Sequence, residues 1–477
     1  MSLGNIFRKK SFTTLKSEAN SKIFLRDLDL TQLVILGLGA VIGGGVFVFT
    51  GKAAFLHAGP AVVISFALAG FICVCAGLCY AELASLFPVA GSSYTYIYAT
   101  FGEFPAWLMG CSTILAYFLA SASVGSGWSS YFSSILNDFH IHISDQYLYR
   151  PGFIIESASG VQQNSILDLP AFVISFCSMV FLSISTSSSA LLNTCVVMIK
   201  IIVLILFICF GITKIDIHNW QPFIPESIKF GQYGVSGIVA GISIVFLGFI
   251  GFESVCTAAQ ETKNPQKSIP TAIIGSIIIS TTIYILVALV LTGMINYKLL
   301  NTTKPISLAV ELLNMPILSL LIKWGAVAAM TSVILVHQYT ITRLLYSISK
   351  DGLLPKIFHK MHKKYRTPYL NTIIVGIAMG IVSATMQIEK ILRLSSFFGL
   401  LGIITVCTST IYLRLAQPDK ERCFQCPFVP ITPLIAIVSS FSILCNYPTD
   451  IIFYAICCLI FITIIYFFYG RKKSKLA

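Results

Sequence analysis

Apolar stretches of about 20 residues recur along the chain from one end to the other, separated mostly by short polar connections. A helix needs about 20 apolar residues to cross a hydrocarbon layer of about 30 Å, whereas the strands of a membrane barrel alternate apolar and polar positions over about 10. The stretches here are too long and too uniformly apolar for strands, so the pattern predicts an all-α polytopic membrane protein with about 12 transmembrane helices. The expected spans 1 to 12 are 30–56, 60–87, 104–136, 167–187, 190–213, 236–260, 269–295, 317–348, 368–387, 391–416, 431–447 and 450–470.

Two spans are interrupted by residues that hold a helix poorly. Span 1 carries Ile42-Gly43-Gly44-Gly45-Val46-Phe47, and span 6 carries Phe246-Leu247-Gly248-Phe249-Ile250-Gly251-Phe252. Each glycine in a helix interior costs about 1 kcal/mol relative to alanine, so both helices are expected to unwind there. Unwound backbone at membrane depth is tolerated where it lines a cavity, and paired broken helices in equivalent halves mark the substrate site of a secondary transporter. Spans 1 and 6 are five apart, so the two five-helix halves begin on opposite sides of the membrane. The expected fold is therefore an inverted 5+5 helix repeat with discontinuous helices 1 and 6, plus two extra helices. No Gly/Ser-rich or Pro-rich linker divides the chain. The expected organisation is a cytoplasmic N-terminal segment 1–29, a transporter domain 30–470 and a basic cytoplasmic tail 471–477.

Composition agrees with that pattern. Of the 477 residues 56% are hydrophobic and 11% charged, against about 25% charged in a soluble domain. The net charge of +13 raises the question of a nucleic-acid partner, but its distribution follows topology instead. With both termini placed in the cytoplasm, the loops and flanks on that side hold 22 Lys and Arg and the outer side 9, as the positive-inside rule requires. The stretch Arg343 to Arg366 alone contributes seven basic residues, and Arg8, Lys9, Lys10, Lys16, Lys22 and Arg26 precede span 1. No apolar region with a small-residue cleavage site stands before span 1, so no removable signal peptide is expected. Most of the 14 cysteines fall within spans, where a free thiol behaves as a small hydrophobe. Cys423 and Cys426 form a C-x-x-C without a second pair or histidine beside it, so neither a metal site nor a cofactor is expected.

The candidate chemistry gathers at the breaks. Gly43, Gly44 and Gly45 leave free N–H groups at the positive start of the second half-helix of span 1, which suits a carboxylate. The carbonyls of Phe246, Leu247 and Ile250, at the negative end of the first half-helix of span 6, suit an ammonium group. Together they describe the two ends of an α-amino acid. Lys200 lies near the middle of span 5 with no acidic neighbour in sequence. A lysine there costs about 3 kcal/mol on insertion, and residues kept at that depth usually mark ion or proton paths. Lys200 is therefore the proton-carrier candidate, with Glu253, directly after the second break, as a coupling or structural group. Glu82 is expected to order a gate or loop, Glu261 to make a helix-end contact, and His337 to be a satisfied core residue. The variable end of the pocket is expected from spans 3, 6, 8 and 10.

These segments resemble the amino acid, polyamine and organocation superfamily, and within it the bacterial relatives of the cationic amino acid transporters. The likeness rests on Ile42–Phe47, on Tyr80-Ala81-Glu82-Leu83 with Pro88–Tyr96, on Gly248–Glu253, on Glu261–Pro270 and on Lys350-Asp351-Gly352-Leu353-Leu354-Pro355. The resemblance implies the inverted-repeat fold and amino acid uptake coupled to protons rather than sodium. It places substrate backbone contacts at Ile42, Gly43, Gly44, Gly45, Phe246, Leu247, Gly248 and Ile250, and a sodium-replacing span 5 lysine at Lys200, seven residues after Asn193. The chain departs from the pattern in span 3, where Leu115-Ala116-Tyr117 stands for Leu-Glu-Tyr, and after span 6, where Gln260-Glu261 stands for Glu-Glu. Losing the acidic group at Ala116 favours neutral over cationic substrates. The expected function is proton-coupled symport of an amino acid across a bacterial cytoplasmic membrane by alternating access, not enzyme catalysis. The partners expected are an amino acid, protons and the lipid bilayer, and no nucleic acid. Amino acid exchange, a cationic amino acid or polyamine carrier, and a non-transporting sensor are the alternatives.

Overall fold

The computed structural model describes residues 6–19, 26–141, 143–151, 154–156, 162–184, 186–362, 367–386 and 388–475. Lys22 and, in the basic stretch, Lys363, Lys364 and Arg366 lie outside them. The chain is a nearly all-helical, multi-pass membrane protein. Among the described residues, eight helical stretches are long and apolar enough to cross a membrane: Leu30–Leu86, Glu103–Asp138, Leu191–Ile212, Gly234–Thr257, Pro265–Met294, Pro316–Lys350, Lys390–Ala416 and Thr449–Lys473. The first contains two of the expected spans, and three shorter apolar helices, Leu169–Ser183, Tyr369–Thr385 and Ile431–Cys445, fall on spans 4, 9 and 11.

The distribution of polarity is that of a membrane protein. Leu68, Phe71, Ile205, Ile278, Phe441 and Phe461 are exposed on the outside of the bundle, while Lys200, Ser332, Gln338 and Arg343 are buried inside it. A soluble domain does not show so broad an apolar exterior.

Local signals set the helix ends. Asp29 caps Leu30–Val41 by accepting the Gln32 N–H at 2.8 Å, while the Gln32 side chain returns to the Asp29 N–H at 3.0 Å, a reciprocal capping box. Prolines open Pro265–Met294, Pro305–Leu312 and Pro316–Lys350, where the missing N–H would be unpaired in any case. Elements not visible in the hydropathy pattern include the helix Phe12–Ala19 before span 1, the helix Ser92–Thr100 between spans 2 and 3, the helix Pro305–Leu312 before span 8, and an antiparallel pair of short strands, Ile154–Glu156 with Gln162–Asn164, in the long loop after span 3. Each is short, and its stability comes from what it packs on rather than from its own periodicity.

Elements five spans apart pack against one another. Pro265–Met294 lies along Val62–Leu86, Pro316–Lys350 along Glu103–Asp138, and Tyr369–Thr385 along Leu169–Ile184. One buried apolar cluster runs through these helices and includes both broken segments.

Buried ion pairs close the end of the bundle that carries the N-terminal segment. The Glu82 carboxylate accepts Arg414 Nε and Nη2, both at 2.9 Å, and the Cys426 N–H at 2.8 Å, with Arg422 Nε 3.0 Å away. Glu261 receives Arg343 Nε at 3.1 Å and Nη2 at 3.0 Å. Asp351 takes Lys10 Nζ at 2.7 Å and the Tyr94 hydroxyl at 2.8 Å. Glu82 and Glu261 thus tie helix ends and loops together, and Glu82 also fixes the backbone of the C-x-x-C. Removing one member of a buried pair costs about 3–5 kcal/mol, whereas replacing both by apolar groups is often neutral. Arg343→Met is therefore expected to lower the thermal midpoint of the purified protein sharply, and Arg343→Met with Glu261→Met to recover most of the loss. Equal midpoints for the single variant and the parent would show that this pair contributes nothing.

Candidate functional site

The first break is set by one residue. Leu30–Val41 ends at Ile42, whose ψ of 104° turns the chain out of the helix, and the second half starts as a wide π-helical turn, Gly45–Phe49. A helix end in the middle of a bundle leaves carbonyls without their usual donors. Three of those near the break are supplied with one from another span. Gly39 O accepts the Ser332 hydroxyl at 3.0 Å and Lys200 Nζ at 3.2 Å, Val41 O accepts the Tyr284 hydroxyl at 2.8 Å, and Ile42 O accepts Lys200 Nζ at 2.6 Å. Leu38 O receives Lys200 Nζ at 2.9 Å besides the Ile42 N–H.

Lys200 is fully buried, and its fourth contact is the Ser332 hydroxyl at 2.7 Å. Among the described residues no carboxylate pairs with it. The negative end of a half-helix, with its concentrated carbonyls, does the work of a counter-ion. Glu253 is not brought to Lys200. It lies toward spans 2 and 3, beside Cys73, Tyr80 and Tyr117.

The second break follows Gly234–Val245 and a 3-10 turn, Phe246–Phe249, and the chain resumes as a short helix at Ser254. Ile250 is extended, and Gly251 has a φ of +122°, a conformation open to glycine and strained for other residues. The two breaks touch. A Cβ added to Gly45 would stand 2.4 Å from the Gly248 Cα, and one on Gly248 would stand 2.9 Å from the Gly45 Cα. Tyr284 fastens the contact from span 7, its hydroxyl 2.8 Å from Val41 O and 2.9 Å from Gly248 O, so that a single proton is shared between the breaks.

Beside this contact lies a cavity of about 20 Å³, room for one or two waters. Its lining comes from both breaks (Gly44, Gly45, Leu247, Gly248, Ile250) and from spans 3, 8 and 10, through Ala120, Val124, Val333, His337 and Leu392. Ile42, Gly43 and Phe246 are buried but line other contacts; a Cβ on Gly43 would meet Val333 Cγ2 at 2.4 Å. Ala116 faces span 10, where its carbonyl takes the Ser395 hydroxyl at 2.7 Å, rather than the cavity. His337 differs from expectation. It is buried, but neither ring nitrogen has a hydrogen-bond partner, so it is not a satisfied core residue. Sequence reasoning also missed Ser332 and Tyr284. A hydroxyl in an apolar run is unremarkable by composition, and only the fold shows that both point at carbonyls released by the breaks.

A family model described as "Amino acid permease" matches residues 28–475, which include both breaks, Lys200 and the whole bundle. The chain belongs to the amino acid permease family. The chain is similar to the methylthioribose transporter of Bacillus subtilis, 36% identical over 474 residues covering 99% of this chain and all of the relative. It is also similar to the branched-chain amino acid permease BcaP of the same organism, 37% identical over 475 residues and 99% of each chain. The chloroplastic cationic amino acid transporter 9 of Arabidopsis thaliana is 36% identical over 86% of this chain and 70% of its own length. The permease family places this chain among transporters rather than enzymes, within the amino acid, polyamine and organocation superfamily.

The packing of the breaks makes their glycines unequal. At Gly45 an added methyl meets backbone, whereas at Gly44 the nearest atoms, of Phe49 and Val124, stand at an ordinary 3.6 Å, and at Gly275, within Pro265–Met294, nothing lies within 4 Å. Gly45→Ala is expected to abolish ligand-induced thermal stabilisation, while Gly275→Ala leaves it intact and raises stability by about 1 kcal/mol. Full ligand response in Gly45→Ala would contradict the contact between the breaks.

Proposed function

We propose that this permease imports a neutral amino acid together with a proton across a bacterial cytoplasmic membrane, by alternating access around the two breaks. Twelve crossings with both termini in the cytoplasm accommodate the charge distribution, and the packing of helices five spans apart supports an inverted repeat. The substrate carboxylate is held by N–H groups at Gly44 and Gly45, and the amine by carbonyls at Leu247 and Ile250. The present cavity is too small for an amino acid, so binding requires the half-helices to part. No charged side chain lines it among the described residues, which supports a neutral over a cationic substrate. Relatives of equal similarity carry names for different substrates, so this preference rests on the cavity and not on them.

The observation that carries the coupling is Lys200. Protonated, it donates to three carbonyls of the first half-helix and to Ser332. An ammonium has three donors, so at least one of these contacts is shared. Deprotonated, it no longer neutralises the carbonyls, and the half-helix end loses what holds it against spans 5 and 8. Proton loss and gain thereby change the stability of one conformation of span 1 relative to another. A membrane potential of 100 mV supplies about 2.3 kcal/mol per proton carried, enough for about fiftyfold accumulation of a neutral substrate.

In proteoliposomes, uptake of a radiolabelled neutral amino acid is expected to rise with an inward pH gradient in the parent, and to lose that dependence in Lys200→Ala. A counter-flow requirement, with no net uptake under a gradient, would favour an exchanger. Gradient-dependent uptake that survives Lys200→Ala would refute the role given to this lysine.

A further inference from the structure

We infer that the cavity is built for an amino acid with an uncharged, hydrogen-bonding side chain, with His337 as the residue that determines this specificity; the inference rests on the amino acid reading above. Except for His337, the side chains that line the cavity are apolar, among them Val124, Leu247, Val333 and Leu392. His337 is 1% exposed, and neither Nδ1 nor Nε2 makes a hydrogen bond. On the same helix, Gln338 and Ser332 are engaged. Gln338, the next residue, accepts the Ser178 hydroxyl at 2.9 Å and donates to Ser175 O at 3.1 Å, and Ser332 donates to backbone.

The ring is held in place. Tyr117 meets it edge-on, centroids 4.8 Å apart and planes at 75°, and the Tyr117 hydroxyl is itself buried without a partner. Nε2 is turned toward the second break, 3.0 Å from where a Cβ on Gly251 would stand, so glycine at that position leaves the ring edge clear. The carbonyls of Ala40 and Ile250 lie close to the ring but outside hydrogen-bond geometry.

A neutral imidazole offers one donor and one bare acceptor nitrogen. An aliphatic substrate side chain would seal both away from water unpaired, whereas a hydroxyl or amide would satisfy at least one. A site built to hydrogen-bond a substrate group rejects the isostere that lacks it far more strongly than an apolar pocket rejects an added hydroxyl. A cationic side chain would be admitted with no carboxylate in the lining to receive it.

Threonine and valine have nearly the same shape and differ by this one group, and serine with alanine gives a second pair. Binding of each to the purified full chain in nanodiscs, by titration calorimetry, tests the assignment. The parent should bind threonine about tenfold tighter than valine or more. His337→Gln, which keeps a donor and an acceptor, should retain the preference, and His337→Met, an apolar residue of similar bulk, should reduce it to about twofold or less. Gel filtration and the thermal midpoint establish that both variants are folded. Valine bound as tightly as threonine by the parent would overturn the inference, as would a preference unchanged in His337→Met. An equal loss of affinity for both ligands in His337→Met would assign His337 a structural part, bridging Ala40 and Ile250, and would also overturn it. Absence of binding by any of the twenty amino acids would instead defeat the amino acid reading on which the subsite depends.

Discussion

A backbone carbonyl released from a helix inside a membrane has no water to turn to, and this protein has released several at one level. The rest of the centre is arranged to satisfy them. Lys200 from span 5, Ser332 from span 8 and Tyr284 from span 7 converge on the end of one half-helix, and each reaches an oxygen that an unbroken helix would have paired internally. The arrangement works in both directions. A buried ammonium without a carboxylate is costly, and the same carbonyls that need donors supply its negative surroundings. Neither the break nor the lysine is tolerable alone, and together they make one joint.

Span 8 links this joint to the rest of the bundle. On one helix, Pro316–Lys350, Ser332 touches the first break, Val333 packs on Gly43, and His337 faces the cavity between the breaks. Toward one end Lys323 joins Asp138 at 2.7 Å and Glu311 at 3.0 Å; toward the other Arg343 joins Glu261. Lys323 and Arg343 are twenty residues apart, about 30 Å along the axis, so a single stiff element carries an ion pair near each end and the polar contacts of the site midway. Glu311 belongs to the helix that packs against the second half of span 1, and Glu261 ends the second half of span 6. A movement of either half-helix is therefore felt by span 8.

Much of this was legible from the chain alone. Long apolar runs gave the helices to within a few residues, because a bilayer imposes length and hydropathy together. The glycine clusters located both interruptions, and an isolated lysine in an apolar run pointed to the group that serves the first. The helices Ser92–Thr100 and Pro305–Leu312 were not legible, since neither is long or apolar enough to stand out. Nor were Tyr284, Ser332 and the cavity-facing edge of His337. Their roles come from rotation about helix axes and from carbonyl positions fixed by the breaks, neither of which leaves a trace in hydropathy. Ala116 shows the converse: a departure noticed in the sequence falls on span 10 rather than on the cavity, and the neutral character of the site rests on what does line it.

The central claim is that the joint between the first break and Lys200 converts proton binding into a change of shape that carries substrate. The most direct measurement is proton entry itself. Proteoliposomes loaded with a pH-sensitive dye and held at zero initial gradient, with the potential clamped negative inside, would be given a transported amino acid. The account predicts internal acidification that begins with substrate addition and keeps a fixed ratio to the amino acid taken up. Amino acid accumulation without proton entry would contradict it.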